Sequence, residues 1–373
     1  MISGNKIIIA GGGLAGLVAA IRLARKGFEC TLIEKKTYPF HRVCGEYISN
    51  ETADFLKREN LYPQEFNPPQ ISQLQLSAVT GKSTITALGL GGFGISRFTF
   101  DHYLFSLGLK AGVNFMLNTE IESIERENNF IVRAAEKNLS AQIVIGAFGK
   151  RSRLDVQLSR NFIKKRSPYV GIKYHAKTNH PDEIIALHNF RGGYCGVSNV
   201  EGGKTNICYL SHRDNMKKFG SIEALEKNVL FENPHLKKIF SEAHFVFQKP
   251  EVINEISFET KEPVFNHILM AGDAAGMITP LCGNGMAMAI HSAKILTDLI
   301  IEHGNAKSFS HQTLEQAYSN AWRKTFSNRL WIGRQIQHKL FGTEWGSNLG
   351  VNLALHSRFV ANTLIKLTHG KVF

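Results

Sequence analysis

The stretch KIIIAGGGLAG at residues 6–16 decides the fold of this chain, because it joins a short apolar run to a cluster of glycines. Residues 6–10 predict a buried strand, and residues 14–26 have the apolar spacing of a helix. Residues 30–33 predict a second strand that ends directly before Glu34. These elements make a βαβ unit whose acid follows the glycines by about 20 residues, as in dinucleotide-binding folds.

Each glycine of this turn has its own predicted role. Gly11 permits the tight turn, Gly13 leaves room for a pyrophosphate group, and Gly16 lets the helix pack closely on the strand. The first helical residues, Leu14 and Ala15, present free N–H groups at the positive end of the helix dipole. The turn therefore predicts a site for the phosphates of a dinucleotide.

Glu34 and its neighbour Lys35 complete this predicted site. The Glu34 carboxylate can accept hydrogen bonds from ribose hydroxyls, and it would repel a 2′-phosphate. NADPH is therefore not the expected ligand of this motif. We include Lys35 among the predicted cofactor contacts.

A second motif follows far downstream, in residues 271–276 (AGDAAG), with Pro280 and the segment Gly283-Asn284-Gly285 behind it. Residues 263–265 and 267–271 predict a strand leading into Gly272-Asp273, and residues 286–302 have helical spacing. Asp273 can hold the hydroxyls of a ribityl chain, and the helix N-terminus can stabilise negative charge near N1 of a reduced flavin. A surface turn with a capping Asp is the alternative, but beside the first motif the pattern predicts FAD.

Two further segments, HRVCGE at residues 41–46 and SRF at residues 96–98 with Asp101, stand between these motifs. On these residues the chain resembles flavoproteins of the para-hydroxybenzoate hydroxylase superfamily. Within it the chain is most similar to the geranylgeranyl reductase family, in which a Cys-Gly-Glu segment follows the second strand. The resemblance covers roughly residues 1–300.

The resemblance implies an α/β (α+β) fold with a Rossmann-like FAD-binding domain of the glutathione reductase type. We expect that domain in residues 1–62, 94–158 and 263–302. An interleaved antiparallel sheet, in residues 63–93 and 159–262, would form the substrate domain over the flavin ring. Residues 303–373 would form a helical C-terminal cap.

The resemblance also suggests individual roles. It places Cys44 near the flavin, where a thiol could protonate or position a carbanion-like centre, with buried packing as the alternative. Arg42 is expected at an FAD phosphate or ribose, and Arg97 either at the flavin or in a capping or ion-pair role. Tyr194 and Tyr209 are the predicted substrate contacts, with packing in the sheet core as the alternative.

The chain departs from the family at two places. The middle motif, usually Ala-Asp-Gly before a Ser, is GAFGKRS at residues 146–152, so Phe148 replaces the Asp. The electron donor therefore stays open between NAD(P)H and another reductant. A Tyr-x-Trp-x-Phe-Pro stretch is reduced to GYCGVS at residues 193–198. The halogenase pattern Trp-x-Trp-x-Ile-Pro is not matched by residues 331–336, WIGRQI.

Three function classes follow. The first is a reductase that transfers hydride from reduced flavin to double bonds of an isoprenoid or lipid-like substrate. The second is a flavin monooxygenase that hydroxylates an aromatic or polyketide-type compound. The third is a non-catalytic prenyl-binding carrier, against which the intact FAD motifs argue.

Composition restricts the cellular setting. The chain has 373 residues and a net charge of +13, but its basic clusters are brief and no nucleic-acid motif accompanies them. Five cysteines without a Cys-x-x-Cys pair predict a reducing compartment and no structural metal. No apolar run approaches the ~18 residues of a membrane span, and the first strand starts so early that we expect no signal peptide. We therefore expect a cytoplasmic protein.

The basic, aromatic-rich tail from residue 321 onward leaves two expectations open. It could cap the substrate pocket with its apolar side, or it could lie on a membrane surface as a peripheral contact. The oligomeric state is not determined by the sequence.

Overall fold

The computed structural model describes residues 6–254, 256–279, 283–304, 310–340 and 370–373. Its strands are β1 (Lys6–Ala10), β2 (Glu29–Ile33), β3 (Tyr47–Ser49), β4 (Gln70–Ser77), β5 (Ser83–Gly94), β6 (Asn114–Met116), β7 (Ile121–Arg126), β8 (Phe130–Ala134), β9 (Lys137–Ala141), β10 (Ile143–Gly146), β11 (Tyr169–Lys177), β12 (Ile184–Phe190), β13 (Gly193–Val200), β14 (Lys204–His212), β15 (His244–Phe245), β16 (Glu251–Asn254), β17 (Val264–Phe265) and β18 (Ile268–Met270). Its α-helices are α1 (Leu14–Arg25), α2 (Ala53–Arg58), α3 (Arg97–Lys110), α4 (Arg153–Gln157), α5 (Arg213–Phe219), α6 (Ile222–Asn228), α7 (Pro234–Glu242), α8 (Gly285–Gly304) and α9 (His311–Leu340).

The first domain is built on a six-stranded sheet in the order β17-β18-β10-β1-β2-β6. The central strand β1 runs parallel to both neighbours, with Ile7 opposite Ile143 on β10 and Cys30 on β2. Ile7, Ile8 and Ile9 are buried, as expected for a parallel strand with both faces covered. Helix α1 packs against α3 and α8 on this sheet.

The strand segments predicted at residues 263–265 and 267–271 form β17 and β18, which are joined as a hairpin. Strands β17 and β18 pair antiparallel, with Val264 opposite Leu269. The turn between them is made by Asn266 and His267, which have φ angles of 47° and 64°. Two successive residues in the left-handed region form the tight turn that a hairpin requires.

The second sheet has nine strands in the order β15-β11-β14-β13-β12-β4-β5-β3, and β16 also pairs with β11. The pair β4–β12 is parallel, whereas β11, β13 and β14 pair antiparallel. Residues of helices α6 and α7, including Leu225 and Leu236, pack on one face of this sheet in a shared core. Strand β3 joins β5 in this sheet although it lies inside the predicted FAD segment 1–62.

A three-stranded sheet, β7-β8-β9, separates β6 from β10 along the chain. Beyond α8, the predicted helical C-terminal segment is confirmed for residues 311–340, which form α9. Leu314, Tyr318, Trp322 and Phe326 recur at helical spacing and are buried, and the Tyr318 hydroxyl donates to the Met270 carbonyl at 2.6 Å. The rest of the tail, residues 341–369, lies outside the described residues, so cap and membrane contact both stay predictions.

Candidate functional site

A cavity of about 650 Å³ extends from the carboxyl ends of β1, β2 and β10 to the inner face of the nine-stranded sheet. It is where the topology brings the two glycine motifs together, because parallel strands end at one edge of their sheet. The predicted site residues that line it are Gly11, Gly13, Leu14, Ala15, Glu34, Lys35, Arg42, Cys44, Arg97, Tyr194, Tyr209, Gly272, Asp273, Gly283 and Gly285.

The glycine turn at the start of α1 divides into structural and ligand-facing positions. Gly11 has a φ of +110°, and a Cβ there would lie 2.5 Å from the Ala147 carbonyl oxygen. A Cβ on Gly16 would lie 2.0 Å from the Gly11 oxygen, so Gly16 is required for packing and does not line the cavity. Gly13 has an ordinary φ of −85°, and within 4 Å its Cβ would meet one atom, Arg97 Nη2 at 3.7 Å.

The opening at Gly13 is therefore a space that a side chain would fill. Helix α1 begins there with no side-chain cap and no acid in its first turn. An uncapped helix N-terminus presents N–H groups and a positive dipole end to an anion. The site thus fits the pyrophosphate of FAD.

Glu34 lies at the end of β2 and is 6% exposed. Its Oε2 accepts a hydrogen bond from the Gly12 amide at 2.9 Å and from Arg42 Nη2 at 3.2 Å. This arrangement holds the carboxylate at the rim of the glycine turn, which is where a ribose-binding acid must stand.

Two arginines meet on one buried carboxylate beside the turn. Asp101 accepts from Arg42 Nε at 3.1 Å and from Arg97 Nε and Nη2 at 2.7 Å each. The Arg97 pair is bidentate and spans one turn of α3, so the predicted ion-pair role is present. Because Arg97 also lines the cavity, it is available to a ligand as well.

The loop that carries Asp273 is fastened by buried cations. Gly272 starts this loop with a φ of +61°, and Lys261 Nζ donates to the carbonyl oxygens of Asp273 and Lys150 at 2.7 Å each. Arg160 donates to the next carbonyl of the loop at 2.9 Å. Burial lowers the pKa of Lys261 to about 8. The middle motif and the Asp273 loop are thus held together through backbone oxygens.

The predicted contact through Asn284 stays a prediction. Gly283 and Gly285 line the cavity, but Asn284 does not. Its amide nitrogen lies 3.3 Å from both carboxylate oxygens of Glu51, so this side chain supports the loop from behind. Pro280 and Cys282 lie outside the described residues.

Sequence reasoning missed a buried charged cluster formed by Glu46, Lys173 and His175. The Glu46 carboxylate accepts from Lys173 Nζ, from His175 Nε2 at 2.6 Å and from the Arg97 amide at 2.8 Å. Burial alone would raise the pKa of Glu46, but the charge of Lys173 and the hydrogen bond from His175 outweigh it and lower the pKa to about 2. Burial and Lys173 also lower the pKa of the adjacent His41 to about 4. The cluster therefore keeps Glu46 ionised.

One signal could have revealed this cluster. Lys173 and His175 stand two residues apart in an otherwise apolar strand, β11, so they share one face. Polar residues on a buried face require partners.

The cluster also fixes the loop that carries Cys44. Lys173 Nζ donates to the Arg42 carbonyl at 3.1 Å, and Asn206 Nδ2 donates to the Cys44 carbonyl at 3.2 Å. Cys44 is half-buried and lines the cavity, as does Cys208 on β14. The sheet thereby fixes the backbone of the loop at Cys44.

The two predicted substrate tyrosines lie on opposite faces of the sheet. Tyr194 is opposite Leu210 and Cys195 is opposite Tyr209, and side chains alternate along a strand. Tyr194 packs with Leu210 and Met277 on the cavity side. The Tyr209 hydroxyl donates to Glu226 at 2.6 Å on the helix-covered side. Tyr209 lines the cavity, but its hydroxyl is engaged by Glu226, so the predicted substrate contact of Tyr209 stays a prediction.

The half of the cavity that faces the nine-stranded sheet is apolar. Its apolar lining residues come from β4, β5, β12, β14 and β16 and from the segments that follow β16 and β18: Leu74, Leu76, Leu88, Ile185, Leu187, Leu210, Ile253, Ile256 and Met277. A pocket of this kind takes a hydrophobic ligand. Within the part of the chain that the structure describes, no group of three His, Cys, Asp or Glu residues is arranged to hold a metal ion.

Comparison with known proteins agrees with this geometry. A family model for an NAD(P)-binding Rossmann-like domain matches residues 9–54. The chain is 25% identical over 338 residues to the digeranylgeranylglycerophospholipid reductase of Methanosarcina acetivorans, across 86% of this chain and 80% of that protein. It shares the fold of a geranylgeranyl bacteriochlorophyll reductase-like protein from Thermoplasma acidophilum, with a TM-score of 0.76, 17% identity, and coverage of 96% and 94% of the two chains. In sequence and in fold, this chain is similar to geranylgeranyl reductase-like proteins.

The fold of geranylgeranyl reductase-like flavoproteins is shared with other flavoenzymes. A flavin-dependent halogenase matches with a TM-score of 0.77 at 17% identity, over 97% of this chain and 72% of its own. At such identities the likeness establishes the fold and not the reaction. The predicted fold class is confirmed, whereas the predicted domain boundaries and site residues stay predictions. No helix among the described residues is long and apolar enough to cross a membrane.

Proposed function

We propose that this protein is an FAD-dependent reductase of double bonds in an isoprenoid or similar lipid-like substrate. The observation that carries the proposal is the single cavity that joins the N-terminus of α1 to the apolar face of the sheet. One end suits a dinucleotide and the other suits a hydrocarbon. The archaeal relatives whose names describe reduction of digeranylgeranylglycerophospholipids support the same substrate class.

The residues that would hold FAD follow from the geometry. The turn at Gly13 and the N-terminus of α1 would bind the pyrophosphate, Glu34 a ribose, and Asp273 the polyol chain. When bound, FAD supplies hydride transfer to an activated double bond.

The protein's own contribution is to bind, orient and protect the substrate. The apolar lining excludes water and aligns the hydrocarbon against the cofactor. The Cys44 thiol, held through its carbonyl by Asn206, would face the reacting carbon and position or protonate it. Glu46 stays ionised beside Lys173 and His175, and so holds the loop in place.

We propose that NAD(P)H or another external reductant supplies the electrons. Phe148 stands where the family has an Asp tied to FAD positioning, so the donor has to be found by experiment. Anaerobic addition of NADH, NADPH or dithionite, followed in the visible spectrum, distinguishes the donors by which of them bleaches the flavin.

The test of the reaction uses purified protein with bound FAD, reduced anaerobically and mixed with a geranylgeranylated glycerolipid. Mass spectrometry should show the gain of one dihydrogen per reduced double bond. Substrate-dependent oxygen uptake with oxygen incorporated into an aromatic substrate would instead support the monooxygenase alternative. A protein that binds the lipid but no FAD would be a carrier, and the proposal would fail.

We also propose a peripheral contact with membranes, since a lipid substrate is delivered from one. Sedimentation with anionic and neutral vesicles tests it. Absence of binding to either would remove this part of the proposal.

A further inference from the structure

Lys150 is a cation in the cavity to which the proposed reaction gives no role. It follows β10 in the middle motif and lines the same cavity as Cys44 and Asp273. Its backbone is fixed, because its carbonyl accepts the hydrogen bond from Lys261. Among the described residues, none forms a hydrogen bond or ion pair with the Lys150 ammonium.

The groups around Lys150 come from both halves of the cavity. Burial lowers the pKa of Lys150, the carboxylate of Asp273 acts in the opposite direction, and the nearby cation Arg97 lowers it further. Asp273 belongs to the FAD domain, whereas Cys208 belongs to β14 of the nine-stranded sheet. Lys150 therefore lines the cavity together with Asp273 from one half and Cys208 from the other.

The junction of the two halves is where the flavin ring has to lie if the proposed function holds. The pyrophosphate end is assigned to the N-terminus of α1 and the polyol to Asp273. Hydride transfer requires the ring to touch the substrate in the apolar half. The Lys150 ammonium has no anionic partner among the described residues, and a ligand bound at this position would supply one.

We propose that Lys150 stabilises the negative charge of the reduced flavin ring, an inference that rests on the proposed binding of FAD. The reduced ring carries its negative charge around N1 and the C2 carbonyl. A fixed cation acts strongly on such charge in a site shielded from water. The Lys150 cation would therefore make the flavin easier to reduce. It would also favour the addition of an anion to N5 of the oxidised ring, because that addition places the same negative charge around N1.

Two spectroscopic measurements on FAD-loaded protein test this. One is the two-electron midpoint potential, and the other is the dissociation constant for sulfite, whose lone pair forms a bond to N5 while the ring takes up the electron pair. In Lys150→Met we expect at least tenfold weaker sulfite binding, and a potential lower by about 30 mV, which is a tenfold change for a two-electron couple. Lys150→Arg should keep both values near those of the wild type.

The matched control is Lys137→Met, which removes the same charge from an exposed position on β9. It should leave both values unchanged. If Lys150→Met loses FAD, the pair Lys150→Gln and Lys150→Arg provides the same comparison between a neutral and a charged side chain. A midpoint potential of the wild-type flavin at or below that of free FAD would overturn the inference without any variant.

The remaining outcomes are distinct. Bound FAD with unchanged potential and sulfite affinity in Lys150→Met overturns the role of Lys150 and leaves the proposed function intact. Weakened FAD affinity with an unchanged potential would make Lys150 a phosphate or polyol ligand and also overturns the inference. A wild-type protein that binds no FAD overturns the inference and the proposed function together.

Discussion

Two glycines in one turn should respond in opposite ways to the same added methyl group. In Gly16→Ala the new Cβ would lie 2.0 Å from the Gly11 carbonyl oxygen, against 3.4 Å or more in an ordinary contact. Helix α1 and the turn must separate to admit it. Overpacking of this kind costs about 1–3 kcal/mol of folding free energy, so we expect the apoprotein to be destabilised by that amount.

Gly13→Ala should leave the apoprotein almost unchanged. Its φ of −85° suits an alanine, and its Cβ would stand 3.7 Å from the nearest atom. Alanine is a poorer N-cap than glycine by roughly 0.5–1 kcal/mol. The lower entropy of the unfolded alanine chain offsets this by about 0.4–1 kcal/mol.

The same methyl group should obstruct FAD, because it would occupy the opening assigned to the pyrophosphate. We expect at least tenfold weaker binding, or about 1.4 kcal/mol. Denaturant unfolding of the apoproteins measures the first effect, and titration with FAD followed by flavin fluorescence measures the second. A Gly13→Ala protein that is as destabilised as Gly16→Ala but binds FAD normally would refute the division of roles between the two glycines.

Four further predictions concern charged groups and hydrogen bonds of the site. Glu34→Arg should weaken FAD binding in a flavin titration, since it removes the proposed ribose acceptor and places a second cation beside Arg42. The control is Glu29→Arg at the exposed start of β2. Unchanged flavin occupancy in Glu34→Arg would contradict the assignment of Glu34 to the ribose. Lys173→Met should lower the unfolding free energy by about 3–5 kcal/mol, because it leaves a buried carboxylate short of its partner. The pKa of Glu46 falls from 4.5 to about 2 on folding, so its contribution to the unfolding free energy is fully present above pH 4.5 and is lost as the pH falls through the folded pKa. The unfolding free energy of Glu46→Gln should therefore fall less in acid than that of the wild type. Identical pH profiles of the two proteins would contradict this role of Glu46. Tyr209→Phe should reduce stability by about 1–3 kcal/mol, since the buried Glu226 loses a hydrogen bond, while the KM for substrate stays unchanged; a raised KM with normal stability would restore Tyr209 to the substrate site.

The strand, glycine turn and helix of the first βαβ unit could be predicted well because their signals are local. Residues 6–16 contain the strand, the turn and the helix start together, and the structure forms β1 over Lys6–Ala10 and α1 from Leu14. The strand segments predicted at residues 263–265 and 267–271 are present as β17 and β18; the prediction did not include the turn between them, although Asn266 tolerates the left-handed backbone that a tight turn needs.

The sheet half could not be assigned in the same way. Both faces of β14 are largely buried, one by helices and one by the cavity, so alternation of polar and apolar residues does not show which face is which. Tyr194 and Tyr209 were therefore placed together in the prediction, and only the pairing of Tyr194 with Leu210 separates them.

The sequence by itself determined the dinucleotide-binding unit, the second flavin motif and the mixed fold class, because glycine conformation and strand and helix periodicity act over short stretches of chain. The tertiary structure alone decided that Glu46 meets Lys173 and His175, more than a hundred residues away, and that Lys150 lines one cavity with Asp273 and Cys208. These encounters depend on the register of one sheet against the loops of another domain, which no local pattern encodes.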